Sequence, residues 1–468
     1  MKKYQGTIAA VCSLAIAVTS FNSTAAPKTK PNLHPEDFSG FPDFGYMVSE
    51  ATYDEKYSDH PVFRLKTDFP SKKPKKKRLP KVLKIDFQKE PMKYLDTVKQ
   101  YCLEGNTPSW DPYKNNKRDW YHIPWLHPSS STYPPNGGTE GFHGLIKEAP
   151  AGPYQLHNTQ TNSYQVYAVT LINEYAGYTM GQMWKDKNNP DPKATDTRFG
   201  GGFPVGTVFC KLLFADVQPD DNQVPYLKNP IDWQGYITES WDSPVRSVRH
   251  LRLLQMDIMV RDKRAEPWMG WVLGTFAYNG ELNDRNCKGK ENDTACRFNN
   301  LVPLGLQFGD DPEVTENIIN AYPYTETKIN PNIKESIINT SKDLPPQHLG
   351  WGMRLNGPAD LNTSSCMSCH TAAQYPQITP LVPPFATVAN GFAPTPGAGD
   401  KDWMKFFINI AAATSADPRA YSTDFSLQVS MSLENFAEAK KKTEEGYWSV
   451  EYGVAEKGVS RGQQESHK

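Results

Sequence analysis

Hydrophobic and polar residues alternate along the middle of this chain, from Tyr164 onward. Val208, Cys210, Leu212 and Phe214 occupy every second position, and the same spacing recurs in residues 254–260. Residues 268–280 and 301–308 are further apolar stretches of strand length, set apart by Pro, Gly, Asn and Asp. Because alternate residues of a strand share one face, the pattern predicts an antiparallel sheet, arranged as a sandwich or half-barrel.

Residues 90–102 follow a helical period instead. Met92, Leu95, Val98 and Cys102 lie three or four positions apart, and Pro91 falls in the first turn, where its missing N–H costs nothing. Short helices are also predicted at 315–321, 402–413 and 432–445. The expected fold class is therefore mixed, with a β-rich N-terminal domain and a small α-helical C-terminal domain.

The N-terminus has the pattern of a secretory signal peptide. Lys2 and Lys3 precede an apolar run at 8–18, and small residues at 24–26 suit a cleavage site. The apolar run is shorter than the about 20 residues that span a bilayer. Cys12 follows Val11 where a lipoprotein signal has a small residue, which argues against a lipid anchor. We expect export to a bacterial periplasm, with no transmembrane segment.

Cysteine usage agrees with an oxidising compartment. Cys287 and Cys296 bracket a polar loop, which predicts a local disulfide. Cys102 and Cys210 form a second bridge or remain buried thiols, and the sequence leaves both alternatives open. The net charge of −1 gives no general attraction to nucleic acid.

The remaining two cysteines belong to the sequence Cys366-Met367-Ser368-Cys369-His370. This C-x-x-C-H motif is typical of covalent haem c attachment. Cys366 and Cys369 would form thioethers to the haem, and His370 would be the proximal iron ligand. A zinc half-site needs about two further ligands at short spacing. The pair His122 and His127 lies far upstream between prolines, and no βαβ pattern supports a redox C-x-x-C motif.

From this motif onward the chain resembles the mono-haem c-type cytochromes: the motif is followed by a proline-rich loop and then by helices. The resemblance implies one covalently bound haem c, iron-based one-electron transfer and a periplasmic redox partner protein. It also implies a cytochrome c-like fold for the C-terminal domain. The residues before the motif, 354–362, are loop-like where such cytochromes have a helix. We therefore expect the β domain to cover part of the haem.

The sixth iron position decides between electron transfer and ligand binding. Met431 precedes the predicted final helix, where the resemblance places a distal methionine. Met404 and His348 are alternatives, as is an open site. Both methionines would otherwise be ordinary core residues.

The chain also resembles cytochromes of the P-460 and c′-β type. The resemblance lies in the order and the residue composition of segments 203–209 and 269–276, which are similar to strands of that layout. That resemblance implies an open iron acting in small-molecule oxidation or gas binding. A third hypothesis is a haem subunit that docks a larger oxidoreductase, because an electron shuttle needs only about 100 residues. The basic run at 72–78 could be a docking patch for an acidic redox partner, but a single charge run more often indicates a solvated loop, which we favour. No nucleophile–base or paired-carboxylate pattern indicates a stand-alone enzyme.

These observations divide the chain into five segments. They are a signal peptide (1–26), an extended polar segment (27–85), a β-rich domain (86–310), a connector (311–346) and a haem c-binding domain (347–468).

Overall fold

The computed structural model describes residues 66, 68–76, 79–108, 110, 112–126, 140, 142–238, 246–315, 329–345, 349–388, 391–395 and 401–444. The signal peptide, His127, His348 and all of the predicted helix 315–321 except Thr315 lie outside these residues.

A nine-stranded antiparallel sheet forms the body of the protein. Seven strands follow one another in the order β1-β3-β4-β6-β7-β8-β9, while β2 pairs with β3 and β5 pairs with β6. The strands are β1 (Trp120–Tyr121), β2 (Ile146–Lys147), β3 (Val166–Asn173), β4 (Val208–Ala215), β5 (Asp232–Thr238), β6 (Arg246–Arg261), β7 (Trp271–Tyr278), β8 (Leu301–Gln307) and β9 (Ser336–Ile338). The prediction of a β-rich antiparallel domain is confirmed, and the period-two segments coincide with β4, β6, β7 and β8.

Two small two-stranded antiparallel sheets lie in the C-terminal part of the chain. β10 (Gln374–Tyr375) pairs with β13 (Tyr421–Ser422), and β11 (Phe385–Val388) pairs with β12 (Gly391–Pro394). The described helices are α1 (Pro91–Leu103), α2 (Glu174–Met183), α3 (Asn283–Asn286), α4 (Thr294–Arg297), α5 (Cys366–Thr371), α6 (Lys401–Met404) and α7 (Leu427–Glu444).

The large sheet is covered on both faces, which is why all eight residues of β7 are buried. On one face, Leu212 and Ile258 pack in a core with Leu95 and Val98 of α1. On the other face, Phe209, Met259 and Leu273 pack in a second core with residues of the C-terminal part: Met367, Phe425, Val429, Leu433 and Phe436. The motif helix and α7 therefore rest directly on the sheet.

The structure contains two disulfides. Cys102–Cys210 ties α1 to β4, with Cα atoms 6.0 Å apart, so the bridged alternative is the observed one. Cys287–Cys296 closes the predicted local loop.

Helix α1 confirms the helix predicted at 90–102, but the two C-terminal helices differ from prediction. Residues 402–413 are helical only as far as Met404. The Ala413 N–H, which would donate within a longer helix, donates instead to Asp424 (2.8 Å). Helix α7 begins at Leu427, five residues before the predicted start, because the Ser426 hydroxyl accepts from the Val429 N–H (3.2 Å) and caps it.

A buried arginine joins the connector to the C-terminal segment. The Arg354 guanidinium lies beside the stacked rings of Trp351 and Phe407, 4.5 and 4.3 Å from their centroids. It donates to the carbonyl oxygens of Asp310 and Val314, each at 2.9 Å. No helix in the described part of the chain is long and apolar enough to cross a bilayer.

Candidate cofactor site

Helix α5 carries the C-x-x-C-H motif, and a capping box starts it. The Ser365 hydroxyl accepts from the Ser368 N–H at 3.2 Å, and the Ser365 N–H donates to the Ser368 hydroxyl at 2.8 Å. Reciprocal bonds of this kind satisfy two donors that a helix N-terminus leaves unpaired. Cys366 and Cys369 are three residues apart, so they share one face of the helix.

The sheet holds the start of this helix in place. The Ser365 hydroxyl also donates to Asp310 Oδ1 at 2.9 Å, and Gln307 Oε1 accepts from the Met367 N–H at 3.1 Å. Burial raises the pKa of Asp310 well above its usual range. Sequence analysis missed both anchors: Gln307 is the last residue of β8 and Asp310 follows three positions later. Their separation from the motif by more than 50 residues gives no spacing signal.

The two motif cysteines lie outside both disulfides and are partly exposed. The Cys366 sulfur lies 3.8 Å from the Thr275 hydroxyl of β7. Burial raises the pKa of the Cys366 thiol well above its usual range, so the thiol is neutral at physiological pH. Neither motif cysteine is committed to a disulfide.

A backbone carbonyl fixes the tautomer of the His370 imidazole. Its Nδ1 lies 2.6 Å from the Phe425 carbonyl oxygen. Since a carbonyl can only accept, Nδ1 carries the proton and Nε2 keeps the lone pair that binds a metal. Burial lowers the pKa of His370 to about 4, which keeps the imidazole in its neutral, ligating form at neutral pH.

The Phe425 carbonyl is itself positioned by a buried carboxylate. Asp424 and Phe425 have left-handed backbone angles, with φ of 49° and 66°. Asp424 accepts from the Trp271 indole N–H (2.9 Å), the Ala413 N–H (2.8 Å) and the Phe203 N–H (2.6 Å). These three bonds hold the turn before α7 against the sheet. No sequence pattern pointed to Asp424 or Phe425.

A polar strip crosses the sheet on the motif side. Lys211, Asp257 and Thr275 are register partners on β4, β6 and β7. Each lies two positions from Phe209, Met259 or Leu273 on its strand, so the three side chains share the face that packs against the C-terminal core. This strip, with Gln255, Glu148 and Asp360 around it, lies beside the Cys366 thiol.

The structure places Met431, Met404 and His122, which sequence singled out, in three different surroundings. Met431 is 42% exposed on the side of α7 opposite Val429 and Leu433, so its role as distal ligand stays a prediction. Met404 packs against an aromatic cluster that contains Trp403. His122 is buried, with Nδ1 3.2 Å from the Ile123 carbonyl oxygen.

Among the described residues, no group of three or more His, Cys, Asp or Glu side chains is arranged to hold a metal ion by itself. Comparisons with protein-family models, with curated proteins and with solved structures found no match. Function is therefore inferred from the chemistry and the geometry of the site.

Proposed function

We propose that this protein is a periplasmic mono-haem c-type cytochrome that transfers single electrons. The observation that carries the proposal is the hydrogen bond from His370 Nδ1 to the Phe425 carbonyl oxygen. His370 directly follows Cys369, the second of two cysteines that lie outside the disulfides. Metal-binding histidines commonly donate their second ring N–H in this way.

The residues present fit a covalently bound haem. Cys366 and Cys369 would form the thioethers, and His370 Nε2 would bind the iron. When bound, the haem would supply the Fe(III)/Fe(II) couple. Met367, Phe425 and their neighbours in the second core would shield one side of the group from water. The capped helix α5 and the Phe425 carbonyl fix the orientation of the ligating side chains before the haem is bound.

Two further expectations belong to the same proposal. Segment 347–468 would be the haem c-binding domain, although its core is shared with the sheet rather than closed on itself. The two disulfides suit a periplasmic location, where oxidised cysteines persist. The redox partner would be another periplasmic protein.

A second candidate function is ligand binding or small-molecule oxidation at an open iron. The exposure of Met431 and the polar strip beside Cys366 favour it, because polar groups at a haem can hold or protonate a bound ligand. The two functions differ in one property, the occupancy of the sixth iron position.

Visible spectra of the purified mature protein distinguish the two candidates. We expect a low-spin spectrum that carbon monoxide leaves unchanged, because protein ligands would occupy both axial coordination positions of the iron. Met431→Ala should then allow carbon monoxide to bind, whereas the matched control Met404→Ala should not. Immediate binding of carbon monoxide by the unmodified protein would instead establish an open iron and reject the electron carrier.

A further inference from the structure

Two carboxylates beside the attachment cysteines share one hydrogen-bond donor. Gln255 Nε2 lies 2.9 and 3.0 Å from the carboxylate oxygens of Asp257 and 2.8 Å from Asp360 Oδ2. An amide nitrogen has two hydrogens, so one can be directed to each carboxylate. Asp257 lies on β6 and Asp360 in the loop before the motif, and this donor holds them close together.

The orientation of the Gln255 amide is fixed by the same loop. Its oxygen accepts from the Ala359 N–H at 3.0 Å, which leaves the nitrogen facing the carboxylates. Gly357 makes this approach possible, because a Cβ at that position would lie 2.2 Å from the amide atoms of Gln255. Gln255 is fully buried, so water cannot replace it as the donor.

The charges around the pair do not balance. Lys211 Nζ pairs with Glu148 Oε1 at 2.9 Å, and the same ammonium attracts both aspartates. Three carboxylates and one ammonium would carry a net charge of −2 if all were ionised. Like charges held this close resist simultaneous ionisation, and sharing one proton relieves the repulsion.

The pair lies next to the haem-attachment motif. Asp257 is the register partner of Thr275, whose hydroxyl contacts the Cys366 sulfur at 3.8 Å. The side chains of Lys211 and Glu148 are 21% and 34% exposed, which gives the cluster contact with solvent. Protons from solvent can therefore reach the cluster through the partly exposed Lys211 and Glu148 side chains.

We propose that Asp257 and Asp360 form a proton-uptake site whose occupancy is coupled to the redox state of the haem. The inference rests on the proposed function. If a bound haem supplied the Fe(III)/Fe(II) couple, Asp257 and Asp360 would take up one proton from solvent for each electron received from a donor protein. The local charge would then be unchanged, and the pair would release the proton to solvent when the electron left.

The electrostatics of the cluster support this assignment. Burial and the Asp360 charge raise the pKa of Asp257, and burial raises that of Asp360, while Lys211 opposes both shifts. Glu148 acts on Asp360 in the raising direction, and the neighbouring Cys366 thiol is neutral. An added electron nearby raises the pKa of the pair further. The pair therefore has a lower pKa in the oxidised protein than in the reduced protein. At pH values between these two, the midpoint potential falls as pH rises.

The test is the midpoint potential of the mature, haem-loaded protein, measured by spectroelectrochemistry between about pH 5 and pH 9. For one proton per electron, we expect a slope approaching about 59 mV per pH unit within the coupling window. Asp257→Asn and Asp360→Asn should each move the pH range in which the potential changes to lower pH, because the remaining aspartate no longer has a negatively charged neighbour. Lys211→Met should move it to higher pH. Asp220→Asn, an exposed carboxylate elsewhere, should match the unmodified protein.

The opposite directions expected for Asp257→Asn and Lys211→Met make the test independent of any single variant. A midpoint potential that does not change with pH would overturn the inference. A pH dependence of the potential that all these variants leave unchanged would also overturn it, because the proton would then bind at another site. Haem staining of each denatured sample separates this failure from failure of the proposed function. A haem-free mature protein would reject both proposals, whereas a stained protein without the slope would reject only the proton site.

Discussion

Replacement of Ser365 by alanine tests how the motif helix is held. The Ser365 hydroxyl accepts from the Ser368 N–H and donates to the buried Asp310 carboxyl group. Ser365→Ala removes both contacts. The Ser368 N–H and the Asp310 carboxyl group then stay buried without the hydrogen bond that the Ser365 hydroxyl made to each. The backbone bond from the Ser365 N–H to the Ser368 hydroxyl is unaffected, so the loss is confined to one oxygen atom.

The expected cost follows from the two lost contacts. Loss of an N-cap hydroxyl costs about 1 kcal/mol. Removal of the hydrogen-bond donor of a buried carboxyl group costs about 1–3 kcal/mol, since no water replaces it. Gln307 Nε2, 3.4 Å from Asp310 Oδ1, is too distant to compensate fully. We therefore expect the free energy of unfolding to fall by about 2–4 kcal/mol.

Urea-induced unfolding at equilibrium, followed by tryptophan fluorescence, measures this loss. Ser365→Thr keeps the hydroxyl and should recover most of the stability. Ser71→Ala, at an exposed serine, controls for a serine-to-alanine change as such. If Ser365→Ala lost no more than Ser71→Ala, the cap and the Asp310 contact would not stabilise the helix and the reasoning would be refuted.

The two disulfides should differ in their contribution to stability. Cys102→Ala with Cys210→Ala opens a loop with a sequence separation of 108 and should lower the free energy of unfolding by about 4.8 kcal/mol on the loop-entropy model. Cys287→Ala with Cys296→Ala opens a loop with a sequence separation of 9 and should lower the free energy of unfolding by about 2.6 kcal/mol. Urea unfolding of both double variants checks the order, and an equal or reversed order would contradict the loop-entropy reasoning.

Much of the sheet could be predicted because its signal is local. Alternation in residues 208–214 and 254–260 reports which side chains share a face, and those residues lie in β4 and β6 as expected. The pairing of Cys102 with Cys210 could not be chosen from sequence, because it depends on how α1 packs against the sheet. Helix 402–413 was overestimated, since remote partners such as Asp424 use its backbone groups.

The site divides in the same way. The motif itself is contiguous, so Cys366, Cys369 and His370 could be predicted from sequence alone as the haem-attachment residues. The groups that orient the motif come from distant parts of the chain: Asp310 from the end of β8 and Phe425 from the turn before α7. Tertiary structure brings these groups together, and a single sequence contains no periodicity that reports it.

The central claim is covalent attachment of one haem at the motif, and the intact mass of the denatured, mature protein tests it most directly. The account predicts the polypeptide mass plus one haem, with the added mass lost in Cys366→Ala combined with Cys369→Ala. His370→Ala should keep the added mass but lose the normal haem spectrum, because the proximal ligand is gone. An unmodified polypeptide mass for the periplasmic protein, or retention of the haem mass in the double variant, would contradict the account.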